Sequence, residues 1–375
     1  MNEIMIRVLV IGLTDVVGGI ETYLKNLVML SNKDEIVFDF VLKTPNKAAF
    51  GNEIIRFYSN NAVFFHVSKL KKNPIKCIKS LISISKSNAY DVIYINTMSS
   101  SDILYALLMN TNARIIIHSH CSMKRNALTN RLFKRVALKE SDYRIACSEM
   151  AAKYMFSTMR NVSIINNGIN IDKFKYSREK REYIRNKYSI SPNDFVVGSV
   201  GRFCYQKNQL FLVKILNEIV LNNKKCNGGR IILMLVGGGP NEELIKDSIN
   251  KYGINDCVVF PGVVSDPENY YNAFDIFALP SCYEGLPISG IEAQCNGLYC
   301  LFSDRMDKRI MITSRSRMIG IAKRDQSKWI NAVLSIYKKD LNDDQRITYA
   351  DVLRDNGFDE VDTCNAVFSI IKDCS

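Results

Sequence analysis

Glu284 and Glu292 lie eight residues apart in the stretch Pro280–Gly297, PSCYEGLPISGIEAQCNG. Each carboxylate is an acceptor able to take both hydroxyls of a diol. IFAL at 276–279 reads as a short buried strand that Pro280 and Ser281 stop, and Ile288 to Asn296 has helical spacing with Gly297 as its C-cap. Glu284 is therefore expected in the loop above the strand's carboxyl end, and Glu292 about one turn into the following helix. In open α/β sheets that crevice is where ligands bind. The backbone N–H groups of Gly285, Leu286 and Ile288 come at the loop and the helix N-terminus, where unpaired donors and the positive dipole end favour phosphate; Pro287 offers none. The spacing by itself also suits a solvated loop acid followed by a surface helix acid.

Three other groups could act on the same kind of ligand. Arg202 and Lys207 follow the strand pattern DFVVGSVG. There a diphosphate would need two cations, and the forked guanidinium suits phosphate oxygens. Two solvated loop charges are the plainer alternative. Gly18 and Gly19 precede a helix opening on Ile20 and Glu21, which fits either a tight helix entry or a backbone that approaches an anion closely. The spaced glycines of a dinucleotide fingerprint are missing. Of the three histidines, His118 and His120 end the strand pattern IIIHSH, on one side of the ribbon by alternation, and His66 is given no role.

With its framing PS, EGLP, EAQ and G, the central stretch resembles the Glu-x7-Glu signature of the retaining glycosyltransferases of family 4, which have the GT-B fold. The resemblance implies that Glu284 lies against the transferred sugar near its anomeric carbon and that Glu292 holds the ribose hydroxyls of the nucleotide. GR-x4-K at 201–207 is similar to the family element whose Arg and Lys hold the donor's distal phosphate. The quartet GGIE is similar to the loop over the donor phosphate and the acceptor. By the same resemblance a histidine here contacts the sugar's hydroxyls: His120, followed by Cys121 and Ser122, is the better match and His118 the second. The backbone of Val263 and Val264, just after PG, is placed near the base. VSIINNGINIDKF at 162–174 is similar to the segment that closes the family's first domain. Two departures stand out, Gly238 where a carboxylate is commoner and Gly297-Leu298-Tyr299 for GLP.

The elements that must position these residues alternate. Strands are expected at Arg7–Leu13, Phe38–Leu42, Ala62–Val67, Val92–Asn96, Arg114–Ser119 and Tyr143–Ala146, with helices from Glu21, Pro74, Ser101, Asn126 and Ser148 between them. Apolar runs of that length alternating with helices argue for a parallel, doubly wound sheet. The second half repeats the pattern. At 375 residues and 47% hydrophobic, the chain has the size of two domains. The charged stretch Lys173–Pro192 shows no apolar period and is expected to connect domains at 1–188 and 189–375, the last helix crossing back to the first.

No run approaches 18 apolar residues, and Met1 leads straight into a strand pattern, so neither a membrane span nor a signal peptide is expected. Eleven scattered cysteines without a C-x-x-C pair read as reduced small hydrophobes. The net charge of +12 divides into +14 over residues 1–190 and −2 over the rest. Basic runs at Lys69–Lys86 and 123–139, the latter an amphipathic pattern with Lys124, Arg125, Arg131, Lys134 and Arg135 on its polar side, suggest an anionic membrane surface. Aromatics are not interleaved as a stacking platform, which argues against nucleic acid.

The reading is thus an α/β protein of GT-B type, two Rossmann-like domains facing across a cleft. The expected activity is retaining transfer of a sugar from a UDP- or GDP-linked donor, without a metal, to a saccharide acceptor on a lipid pyrophosphate. This belongs to capsule or exopolysaccharide assembly at the inner face of the plasma membrane. The alternatives are a nucleotide-sugar epimerase of related fold and a non-catalytic nucleotide-sugar-binding protein.

Overall fold

The computed structural model describes residues 5–16, 18–87, 89–97, 99–109, 111–120, 127–222, 229–338 and 343–374, with the backbone alone over 127–132. Met1–Gly168 together with Glu360–Ser375 form one compact unit, and Ile169–Asp359 form a second.

The first unit holds β1 (Ile6–Ile11), β2 (Ile36–Leu42), β3 (Phe64–His66), β4 (Val92–Thr97), β5 (Arg114–Ser119), β6 (Tyr143–Ala146) and β7 (Ser163–Ile164). They make one parallel sheet in the order β3-β2-β1-β4-β5-β6-β7. Every residue of β2 and β4 is buried, as strands covered by helices on both faces must be. Asp39 can sit inside β2 because its carboxylate accepts from the Arg7 guanidinium at 2.7 Å, the Tyr90 hydroxyl at 2.9 Å and the Val63 amide at 2.8 Å. The final helix, Glu360–Cys374, belongs to this unit: Cys364, Val367, Phe368 and Ile371 enter the core that Val8, Val10, Phe38 and Phe40 form.

The second unit holds β8 (Phe195–Val200), β9 (Ile231–Val236), β10 (Val258–Gly262), β11 (Ile276–Leu279), β12 (Tyr299–Ser303) and β13 (Ser316–Ile319). All are parallel, in the order β10-β9-β8-β11-β12-β13. In both sheets the order reverses beside the first strand, so the ligand crevices of this topology open beyond β1 and β4 in one unit and beyond β8 and β11 in the other.

The contact division falls at Gly168/Ile169, twenty residues before the boundary that charge composition suggests. The polar stretch is not a bare connection. Arg178–Lys187 is a helix of the second unit, capped by the Ser177 hydroxyl. Its half-buried Arg181 and buried Arg185 form ion pairs with Asp275, at 2.5 and 3.3 Å, beside the start of β11. A helix that packs through paired charges shows no apolar period, which is why its sequence reads as a linker. The helix Gly51–Phe57, too short for a clear period, also has no counterpart among the expected elements.

Candidate active site

Beyond β11, Pro280 and Ser281 end the strand and the chain loops to the helix Ile288–Cys295. That helix closes with a Schellman arrangement: the Leu298 N–H donates to the Ala293 carbonyl at 3.1 Å and the Gly297 N–H to Gln294 at 2.9 Å. Gly297 takes φ +72°, and a Cβ there would meet the Arg346 backbone at 2.5 Å. At the other end, no acceptor among the described residues takes the N–H groups of Gly285, Leu286, Ile288 or Ser289. Four donors at a helix N-terminus favour an anion.

Glu284 lies in this loop with both oxygens occupied. Oε1 accepts from the Lys207 ammonium at 2.5 Å and Oε2 from the Ser281 hydroxyl at 2.8 Å. Lys207 and Glu284 are 16% and 14% exposed, so the pair is largely enclosed yet reachable. Arg202, five residues before Lys207, is exposed, with its backbone carbonyl held by Gln209 at 3.0 Å. Among the described residues its guanidinium joins no carboxylate. The two cations expected to act together thus stand in different states, one bound to the loop acid and one facing solvent.

Glycines hold these loops together. Gly237, after β9, adopts φ +136°, and a Cβ there would lie 2.1 Å from the Gly201 carbonyl oxygen, so the β8 and β9 loops meet backbone to backbone. Val263 follows β10 and is 84% exposed, with Val264 half-buried behind it.

Glu292 sits one turn into the site helix, and the Tyr271 hydroxyl donates to its Oε2 at 2.6 Å. Burial lifts this carboxyl to about 7; the Tyr271 hydrogen bond opposes the shift, the nearby Glu268 adds to it, and Lys173 and Lys207 oppose it. Glu268 in turn pairs with Lys173 at 3.2 Å. Sequence reading gave Ser281 only a strand-stopping part and Tyr271, Glu268 and Lys173 none, since no spacing rule ties a tyrosine 21 residues upstream to an acid.

In the first unit the carboxyl ends of β1, β4 and β5 carry the other expected residues. Gly18 is the N-cap of the helix Gly19–Met29 in extended conformation, and a Cβ on it would come 2.9 Å from Glu21 Oε2. Glu21 is buried and accepts from the Thr14 hydroxyl at 2.7 Å, which pins the loop from below. His118 is fully buried, its Nδ1 within 2.5 Å of the Tyr94 hydroxyl and 3.3 Å of the Tyr23 hydroxyl. Of these two, His120 is the one that keeps some exposed surface. Its Nδ1 lies 2.9 Å from Asn167 Oδ1 and its Nε2 2.5 Å from Asn96 Oδ1. Cys121, Ser122, Lys124 and Arg125 lie outside the described residues, as do the side chains of Leu128, Arg131 and Leu132.

Two α/β units of doubly wound topology, one carrying an acid, two cations and a donor-rich helix end at its switch point, offer an anionic ligand a crevice at the strands' carboxyl ends. The chain matches the family model "Glycosyltransferase Family 4" over residues 17–173 and "Glycosyl transferases group 1" over 180–351. It belongs to these glycosyltransferase families and is a glycosyltransferase. It is 28% identical over 306 residues to EpsF of Bacillus subtilis (strain 168), classed as a glycosyltransferase, covering 78% of each chain. It is 25% identical over 281 residues to an Escherichia coli UDP-Gal:alpha-D-GlcNAc-diphosphoundecaprenol alpha-1,3-galactosyltransferase, covering 70% of this chain and 71% of the other. Among solved structures, Anabaena HepE in complex with UDP and glucose superposes with a TM-score of 0.79 at 17% identity, over 98% of this chain and 99% of that one. That likeness gives the GT-B fold.

Proposed function

We propose that this protein transfers a sugar, with retention of configuration, from a nucleoside diphosphate sugar to a lipid-linked saccharide in surface polysaccharide assembly. The observation that carries the reading is the convergence of Glu284, Lys207, Arg202 and the open N–H groups of the site helix at the switch point of the second unit. In this reading the cations and helix-end donors hold the diphosphate, Glu292 takes the ribose hydroxyls, the backbone at Val263 meets the base and Glu284 faces the sugar. Gly18 and Gly19 attend the phosphate and the acceptor, and His120 a sugar hydroxyl. The bond from the anomeric carbon to the diphosphate oxygen breaks, the acceptor oxygen bonds to that carbon on the same face, and the acceptor's proton passes to the departing phosphate. Lysine, arginine and helix-end N–H groups aimed at the diphosphate stabilise its growing charge.

A thermal-shift panel of nucleotide sugars, followed by transfer assays with the stabilising donor, tests the assignment. A ligand at 100 times its Kd stabilises by roughly 2.7 kcal/mol. EDTA is expected to leave turnover nearly intact, because the diphosphate is neutralised by side chains; strict dependence on a divalent ion overturns that part. A protein that binds nucleotide sugars but transfers none to a lipid-linked saccharide overturns the proposed acceptor.

The raised Glu292 carboxyl gives a pH signature. Its folded value, about 7, lies above the ordinary 4.5, so its contribution to stability is full below about 4.5 and is lost as pH climbs through 7. Two ribose hydroxyls donating to the ionised form would draw the proton off on binding. The Kd of UDP-glucose, whose diphosphate does not titrate near neutrality, should therefore fall as pH rises from about 5.5 to 7.5, approaching tenfold per unit on the acid side. Calorimetry on wild type and Glu292→Gln checks this: the variant should give a flat profile, and a flat wild-type profile removes Glu292 from the ribose.

The lipid-linked acceptor in this reading rests on the basic first unit. No helix of the described residues is long and apolar enough to cross a membrane. The helix Pro74–Ser87 buries Cys77, Leu81 and Ile84 and exposes Lys76, Lys79 and Lys86, with Ile75 68% exposed among them. Lys69, Lys71 and Lys72 are exposed just before it. Each Lys near an anionic bilayer contributes about 1 kcal/mol, and salt screens it within roughly 8–10 Å, so binding should be peripheral. Co-sedimentation with anionic liposomes should occur at low salt and fade at high salt. Glutamine at Lys69, Lys71, Lys72, Lys76 and Lys79, or at Lys124, Arg125, Arg131, Lys134 and Arg135, should weaken it; wild type ignoring the vesicles points to a soluble acceptor.

A further inference from the structure

His120 lies between two amides, and the arrangement carries a chemical constraint. Asn167 Oδ1 faces Nδ1 and Asn96 Oδ1 faces Nε2. Two carbonyl oxygens can both accept only from a doubly protonated ring. Asn96 is 1% exposed, and its Nδ2 has no hydrogen-bond partner. A half-turn of that amide lets the NH2 group donate to a bare Nε2 while the Nδ1–H donates to Asn167, and the carbonyl oxygen takes the unpartnered place, which costs less than an unpartnered N–H.

We propose that Asn96 is a positioning residue that turns its amide NH2 to His120 Nε2, fixing His120 as the neutral Nδ1–H tautomer whose Nε2 accepts a hydrogen bond. The surroundings agree. His120 backs onto the buried ring of His118, with centroids 4.1 Å apart, and Tyr23 tilts against it at 4.9 Å. Among the described residues, the hydrogen-bond partners of the ring pair are Tyr23, Tyr94, Asn96 and Asn167, none of them an anion that would hold an imidazolium. Burial draws His120 down to about 4, the Asn167 contact opposing it, and keeps His118 well below the usual range. A neutral ring leaves proton transfer to other groups. If His120 meets a sugar hydroxyl, as the reading above has it, that hydroxyl must donate to Nε2 and take the place of the Asn96 N–H. The tautomer does not depend on that reading.

Long-range proton–nitrogen NMR on uniformly 15N-labelled protein, with His120 assigned by its loss in His120→Gln, reads the tautomer directly. The expected result is a protonated Nδ1 and a bare Nε2 that do not titrate between pH 5.5 and 8. A protonated Nε2, or a doubly protonated ring in that window, overturns the proposal. Two variants separate positioning from simple support. Asn96→Asp offers no donor, so the ring should move its proton to Nε2 and its titration should climb by more than one pH unit. Asn167→Asp retains an acceptor at Nδ1, so the titration should climb with the tautomer unchanged. An identical tautomer in wild type and a folded Asn96→Asp variant counts against Asn96. If that variant does not fold, the wild-type and Asn167→Asp spectra still decide.

Discussion

Glu284→Ala should lower kcat for sugar transfer by about 10²–10³-fold, the usual loss when one preorganised group is removed from a charge-developing centre. Affinity for UDP should stay within a few-fold or improve. The reason lies in the two hydrogen bonds that hold the acid. Lys207 and Ser281 fix both carboxylate oxygens before any ligand arrives, so the group has little reorganisation left to undergo. Without Glu284, the Lys207 ammonium has lost the anion 2.5 Å away and is free to serve a diphosphate alone. Steady-state kinetics beside calorimetric titration with UDP separates the outcomes. Parallel losses in kcat and UDP affinity would show that Glu284 only shapes the loop.

Lys207→Ala should weaken the diphosphate donor by about 30-fold or more, since truncating one member of an enclosed, hydrogen-bonded charge pair costs on the order of 2–5 kcal/mol. The nucleoside monophosphate, which lacks the distal phosphate, should bind nearly as before. A second effect distinguishes Lys207 from Arg202. Removing Lys207 strands Glu284, 14% exposed, with Ser281 as its remaining donor, so the unliganded protein should melt lower. Arg202 faces solvent, and Arg202→Ala should reduce donor affinity without that loss of stability. Melting curves of the two free variants, set beside their affinities for UDP and UMP, make the comparison. A Lys207→Ala protein that loses UDP and UMP alike has lost its loop architecture rather than a phosphate contact.

Much of this arrangement was legible in order along the chain. The strand IILMLV announces itself because a parallel strand covered on both faces reads as a near-continuous apolar run, and IVFDFVL does so around the single paired charge of Asp39. The loop-helix position of Glu284 and Glu292 follows from Pro280, Pro287 and Gly297, which punctuate the backbone by their own dihedral preferences. The Arg178–Lys187 helix was not legible, because paired charges replace the apolar stripe that marks a packed helix.

By itself the sequence determined the alternation of elements, the two crevices at the strands' carboxyl ends and the acids, cations and glycines placed there, all through short-range rules of sterics and periodicity. The tertiary structure decided what each of those groups meets. Lys207 is held by Glu284 across 77 residues, Glu292 by Tyr271 across 21, and His120 by Asn96 and Asn167 from two other segments. It also decided that Arg185 is buried against Asp275 of the second unit, whereas the return of the last helix to the first unit was already expected. Such pairings depend on which strands lie side by side, and sheet order is set by the burial of whole surfaces rather than by any local run of residues.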